Sequence, residues 1–289
     1  MPDFRINSML FPGGKRKALT LSYDDGVIQD RRLVEMMDRY GIRGTFNLNS
    51  GFLGRVERMV MEGVDTDIST VRPEEVRTLY RNHEVATHAA RHSALTGCGS
   101  AAVGELMEDR QVLESLTGRI VTGHAYPFGL YDEGVLAMLS AAGIVYARTV
   151  VSTHSFRLPE NFLTWDPTCH HDDPELMALA ERFCTGEELF GQPQLFYLWG
   201  HAYEFDIHGN WERMDRFLAY VSGYPDTIWN ATNGEIFCYV SAWKQLVFSA
   251  DGKRAYNPTD KELWIGTMKG AVRIPSGGTA ALDGTVGKA

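Results

Sequence analysis

Two rhythms of apolar residues alternate along this chain. Residues 17–23 form an unbroken bulky run, the mark of a strand buried on both faces, and residues 27–40 follow with the spacing of an amphipathic helix. The succession recurs. Strands are predicted at residues 45–49, 84–87, 120–126, 144–150, 195–199 and 227–231, and helices at 73–81, 101–116, 133–142, 174–187, 211–221 and 235–246. Seven strands alternating with helices predict an α/β fold, a closed or nearly closed parallel barrel, with an open doubly wound sheet as the alternative. Residues 52–67 are irregular. Residues 151–173 hold two prolines, two adjacent histidines and no period, and read as a long functional loop. Past residue 246, Asp251-Gly252 marks a hairpin turn and the end from Ser276 is rich in Gly, Thr and Ala. The chain is therefore expected to divide into a barrel, 8–246, and a small β appendage with a flexible tail, 247–289.

Composition narrows the partners. With 28 Lys and Arg against 37 Asp and Glu, the net charge of −9 argues against a nucleic-acid surface and against an anionic-membrane patch. No 18-residue apolar span and no leader-like segment occur, so the chain as written reads as cytoplasmic. Cys98, Cys169, Cys184 and Cys238 are far apart and are expected to be free thiols.

The chemistry-bearing residues fall where a parallel barrel would use them, after the strands. Asp24 and Asp25 follow the first strand. Such a pair either caps the next helix or needs a cation, a shared proton or solvent. His88 and His92 follow the third. On a helical turn, side chains four apart point the same way and can share one metal ion, and with a carboxylate from another strand end they make a two-His, one-carboxylate site open to water. His124, Tyr126, Pro127 and Phe128 lie in and after the fourth, Arg148 ends the fifth, and His201 follows the sixth. Asn47, Asn49, Asn230 and Asn233 follow the second and seventh. No Glu follows His88, which disfavours an H-E-x-x-H protease.

In motif and order, residues 17–246 resemble the polysaccharide deacetylase family with the NodB homology domain, carbohydrate esterase family 4. Its T-F-D-D-G motif is matched by Ser22-Tyr23-Asp24-Asp25-Gly26, and its H-S/T-x-x-H motif by His88 to His92 with Ala89 at the hydroxyl position. R-x-P-F/Y is matched by Ala125-Tyr126-Pro127-Phe128 without the Arg, and L-x-H loosely by Trp199-Gly200-His201. The resemblance implies a distorted (β/α)7 barrel and metal-dependent removal of acetyl groups from N-acetylated sugars. It assigns Asp25, His88 and His92 to one divalent ion, with zinc first and cobalt, nickel, manganese or iron as alternatives. It makes Asp24 the general base and His201 the general acid, with a backbone N–H near Phe128 for the oxyanion. Tyr126, Pro127, Phe128 and Trp199 are the expected substrate contacts.

The family's Arg supports the base, and Ala125 stands in its place. Arg148, at the end of the next strand, is the candidate to reach the same carboxylate; otherwise it pairs with a structural acid. His170-His171-Asp172-Asp173 resembles a metal cluster but is read as a solvated loop, and His124 as a core residue. Hydrolysis of another C–N bond, of cyclic amide type, and a catalytically silent carbohydrate-binding protein are the alternative functions.

Overall fold

The computed structural model describes residues 8–186 and 191–282. At its centre are seven parallel strands: β1 (Lys17–Asp24), β2 (Thr45–Leu48), β3 (Glu84–Thr87), β4 (Gly123–Ala125), β5 (Tyr146–Arg148), β6 (Cys169–His170) and β7 (Gln194–His201). Their spatial order is β5-β4-β3-β2-β1-β7-β6. The two edges meet through the residues before β6. Trp165 bridges Arg148 in parallel, donating to Ala147 O and accepting from Thr149 N at 3.0 Å each, while β6 pairs with β7. The sheet thus curls into a distorted (β/α)7 barrel.

Six of these strands lie where the apolar pattern predicts them. The seventh does not. Ile228–Asn230 is a strand, β8, but it pairs only with Lys17–Leu19, sharing one side of β1 with β2, which takes Ser22–Asp24. Its place in the barrel goes to β6, inside the stretch read as a loop. Two residues are too few to show a period. Residues 52–67, read as irregular, contain an antiparallel hairpin of Arg58–Met61 and Val64–Asp67. The helix expected at 73–81 is a 3-10 turn, Pro73–Glu75, followed by Val76–Leu79.

The apolar run of β1 resolves into two faces, because strand side chains alternate. Leu19, Leu21 and Tyr23 pack outward with Leu33 and Met37 of α1 (Asp30–Arg39), each such burial stabilising by about 1.5–3 kcal/mol. The alternate residues Thr20, Ser22 and Asp24 carry polar groups and are also buried. Thr20 Oγ1 donates to Asn233 Oδ1 at 2.7 Å and Asn233 Nδ2 donates to Tyr197 Oη at 2.7 Å, so these three buried side chains bond to one another.

Past the barrel, Leu263–Thr267 pairs with Ser8–Leu10 and with Gly270–Ile274, and Arg254–Tyr256 pairs with Val247–Phe248 and Thr279–Ala281. Leu263, Ile265, Ile274 and Leu282 share a buried cluster with Tyr239 and Val240. The expected loose end at Ser276 is therefore corrected as far as residue 282, because Thr279–Ala281 is paired in a sheet; residues 283–289 lie outside the described residues. All four cysteines are free thiols. Among the described residues no helix is long and apolar enough to cross a membrane.

Candidate active site

Parallel strands in register aim neighbouring side chains the same way. His201 is opposite Asp24, and Asp24 opposite Asn47, so the ends of β7, β1 and β2 set three polar groups in a row. Asp24 is 2% exposed. Its carboxylate accepts from Asn47 Nδ2 at 2.7 Å and from Arg148 Nη2, and His88 Nε2 and His201 Nε2 lie 3.7 and 3.9 Å from Oδ2. Burial alone would raise the Asp24 pKa, but Arg148, then His88, His201 and Asn47, hold it down at about 2. It is a carboxylate at neutral pH.

Arg148 is fully buried. The register explains its reach, because Ala125 on β4 pairs with Arg148 on β5. At the position where the resemblance calls for an Arg, a small side chain leaves room for the guanidinium of the neighbouring strand. Nη1 donates to Thr149 O at 2.9 Å, and the group lies 4.4 Å from the Trp199 ring centre, a cation–π contact.

Asp25 leaves the strand with φ of +75°, its N–H donating to Asn47 O at 2.9 Å. Gly26 follows at +64°, where a Cβ would stand 2.8 Å from Leu48 Cδ2. Neither Asp caps α1, which begins at Asp30 after Gln29.

His88 and His92 share no helix, contrary to the expected helical turn. They sit on a turn whose Ala89 and His92 have φ of +59° and +52°. Asn49 Nδ2 ties it down, donating to His88 O and Ala89 O at 2.6 and 2.7 Å. The left-handed residues Asp25, Ala89, His92 and Phe128 all gather at this rim, each at a cost of about 1–3 kcal/mol, as strain does at functional sites. The turn brings His88 Nε2 and His92 Nε2 to 3.6 and 3.8 Å from Asp25 Oδ1. Ligand atoms about 2.0–2.2 Å from one ion stand roughly 3–4 Å apart, so this spacing fits.

The protonation pattern fits as well. His88 Nδ1 lies 2.8 Å from Ala125 O, a carbonyl that only an N–H can satisfy, which leaves Nε2 bare. That Nε2 is buried without a hydrogen-bond partner. Burial and the neighbouring His88 push the His92 pKa down, so His92 too offers a lone pair at neutral pH.

Asp109 is a site residue that motif reasoning missed. It belongs to α2 (Ser100–Thr117), and its carboxylate accepts from Ser50 N and His88 N at 2.8 Å each, pinning both loops. Burial raises its pKa to about 7 despite these bonds. The signal was available. The buried face of α2 runs Ala102, Leu106, Asp109, Leu113, Thr117, and an acid at a core position needs a reason.

His201 leans on Glu204, which takes its N–H at 3.0 Å and lies 3.1 Å from Nδ1. Burial would lower the His201 pKa, but Glu204 lifts it to about 9. His170, His171 and Asp172 gather behind this pair, so the reading of a solvated loop is corrected: His171 is fully buried, stacked between Tyr23 and Phe205. His171 keeps both ring nitrogens buried without a hydrogen-bond partner, whereas His170 and Asp172 are hydrogen-bonded. His170 Nδ1 accepts Asp172 N–H at 3.2 Å, which puts its proton on Nε2, 3.1 Å from Glu204. Asp172 is already held by His208 and Asn210 at 2.7 Å each.

The other expected contacts divide. Phe128 is exposed with its ring 4.6 Å from that of His92. Tyr126 and Pro127 are buried, and Tyr126 Oη donates to Leu163 O at 2.7 Å. Trp199 packs beneath Arg148, and His124 is buried beside Thr87 Oγ1 at 2.9 Å.

Residues 12–147, which carry both Asp24-Asp25 and His88–His92, match the family model described as polysaccharide deacetylase. Over this stretch the chain is similar to the polysaccharide deacetylase family. Among solved structures, one described as a polysaccharide deacetylase from Mycobacterium smegmatis aligns with a TM-score of 0.58 at 17% identity, covering 82% of this chain and 94% of that one. At this identity the likeness concerns the fold. A family 4 acetyl xylan esterase from Clostridium thermocellum, solved with a cobalt ion, gives 0.48 at 13% identity over 76% and 92% of the two chains. A family 4 pseudoenzyme from Bacillus anthracis gives 0.48 at 17% over 80% and 68%. Comparison with curated proteins gave no match.

Proposed function

We propose that this chain is a member of the polysaccharide deacetylase family and a metal-dependent hydrolase that removes acetyl groups from an N-acetylated sugar. The observation that carries the reading is the convergence of Asp25, His88 and His92 beside an ionised, buried Asp24. Asp25 Oδ1, His88 Nε2 and His92 Nε2 would hold one divalent ion, zinc first among those that N/O ligands accept. Bound there, the ion would lower the pKa of a water and polarise the acyl carbonyl.

This chain's residues do the rest. Asp24 takes the proton of the attacking water while Arg148 and Asn47 keep its carboxylate aimed and charged. A backbone N–H near Phe128 would stabilise the developing oxyanion. As the C–N bond breaks, His201 protonates the nitrogen from Nε2, Glu204 holding the ring from the Nδ1 side. The products are acetate and a free amine.

Acetate release from N-acetylated oligosaccharides tests the reading. It is expected to need a divalent ion, to stop on chelation, and to fall about 10²–10⁴-fold in Asp24→Asn with the ion retained. A protein that binds these sugars and the ion but releases no acetate would instead be a silent carbohydrate-binding member. Asp109→Asn cannot accept both N–H groups with two oxygens, so calorimetry should show zinc binding weakened about 10- to 100-fold.

A further inference from the structure

Beside the ligand cluster is a cavity of about 250 Å³ whose lining includes Asp25 and His92. A substrate with its scissile carbonyl at those groups can extend what lies beyond the amide into this space. The remaining wall is largely apolar: Val27, Phe52, Ile68, and Met59 and Met61 of the hairpin. The two charges on it, Arg55 and Glu57, neutralise one another at 2.9 Å, and the Arg55 guanidinium lies 5.0 Å from the Phe52 ring centre.

The hairpin is a fixed wall. Thr70 bridges Val27 at its base, Gln29 Nε2 donates to Asp67 O at 2.7 Å, and Glu62 at its tip reaches His208 Nε2 at 3.3 Å. Met59 keeps 45% of its surface exposed, which costs free energy unless something covers it. A cavity smaller than the ~300 Å³ lower bound of ordinary ligand pockets holds one compact group, not several sugar units.

We propose that this cavity binds a single compact apolar substituent of the substrate, aryl or short branched alkyl, next to the scissile amide. The inference rests on the hydrolase reading and narrows it to small acylamino compounds carrying such a group. Methionine side chains, unbranched and adaptable, suit variable apolar shapes. The substituent belongs either to the acyl group or to the amine side.

The test uses the zinc-loaded enzyme and three substrates: methyl N-acetylglucosaminide, its N-benzoyl counterpart, and benzyl N-acetylglucosaminide. One of the apolar substrates is expected to exceed the methyl reference in kcat/KM by about tenfold or more, and which one assigns the side. Met59→Glu should cut that ratio about tenfold. Val60→Glu, on the opposite face of the same strand, should leave it unchanged. Equal kcat/KM for all three, or a ratio indifferent to Met59→Glu, overturns the proposal. Should none be hydrolysed, the hydrolase reading fails on its own, and calorimetry with the same protein decides the cavity. Either apolar compound, N-benzoyl or benzyl, binding about tenfold tighter than the methyl reference supports the proposal, and equal binding of all three refutes it.

Discussion

Arg148→Met is expected to unfold at a much lower temperature than the wild type and to turn over substrate about 10²-fold more slowly at neutral pH. The guanidinium and the Asp24 carboxylate are both buried, and among the described residues each is the other's one opposite formal charge at hydrogen-bonding distance. Removing one partner of such a pair strands the other in a low-dielectric interior, at a cost of about 3–5 kcal/mol. For a chain of this size that is roughly a 6–20 °C fall in melting temperature. The catalytic loss has a separate origin: without Arg148 the Asp24 side chain loses the guanidinium N–H that aims its carboxylate at the attacking water. The double variant Asp24→Asn with Arg148→Met separates the two effects. With no buried charge left unpaired it should recover stability relative to Arg148→Met while staying inactive. A turnover in Arg148→Met within twofold of wild type, alongside the expected fall in melting temperature, would make Arg148 a structural residue only.

That pairing also marks how far the sequence could be read. The strand ends were legible because their chemistry follows apolar runs: Asp24 and Asp25 after residues 17–23, His88 and His92 after 84–87, and His201 after 195–199. Arg148 was legible as a candidate from its place at the end of the adjacent strand. Its contact with Asp24 depends on the register that sets Ala125 opposite it, and three-residue strands such as β4 and β5 carry too little pattern to fix a register. The left-handed turn at residues 88–92 was hidden for a different reason. Ala89 and His92 adopt positive φ without glycine, so the cost is met by tertiary bonds from Asn49 that no local rule announces. β6 escaped because its two residues borrow order from β7, and Asp109 because a motif search looks at loops, whereas it acts from a helix 21 residues past His88.

His92→Gly should abolish the metal response and leave the metal-free protein almost as stable as before. His92 holds φ of +52°, a conformation that costs an L-residue about 1–2 kcal/mol and glycine almost nothing. Against that gain stands the extra backbone freedom of glycine in the unfolded chain, about 0.5–1 kcal/mol, and the loss of ring contacts with His88 and Phe128. The balance lies within about 1 kcal/mol of zero. With zinc the two proteins should part. An ion that binds only the folded state at 100 times its dissociation constant adds about 2.7 kcal/mol, a rise of several degrees in melting temperature for the wild type. His92→Gly, with one ligand gone, should show little of this rise and almost no acetate release. Differential scanning calorimetry with and without zinc reads both halves. A variant that keeps the full zinc-induced shift would remove His92 from the ligand set, and one whose metal-free form melts far below the wild type would mean that the turn is held by the imidazole itself, not by Asn49 and Asp109.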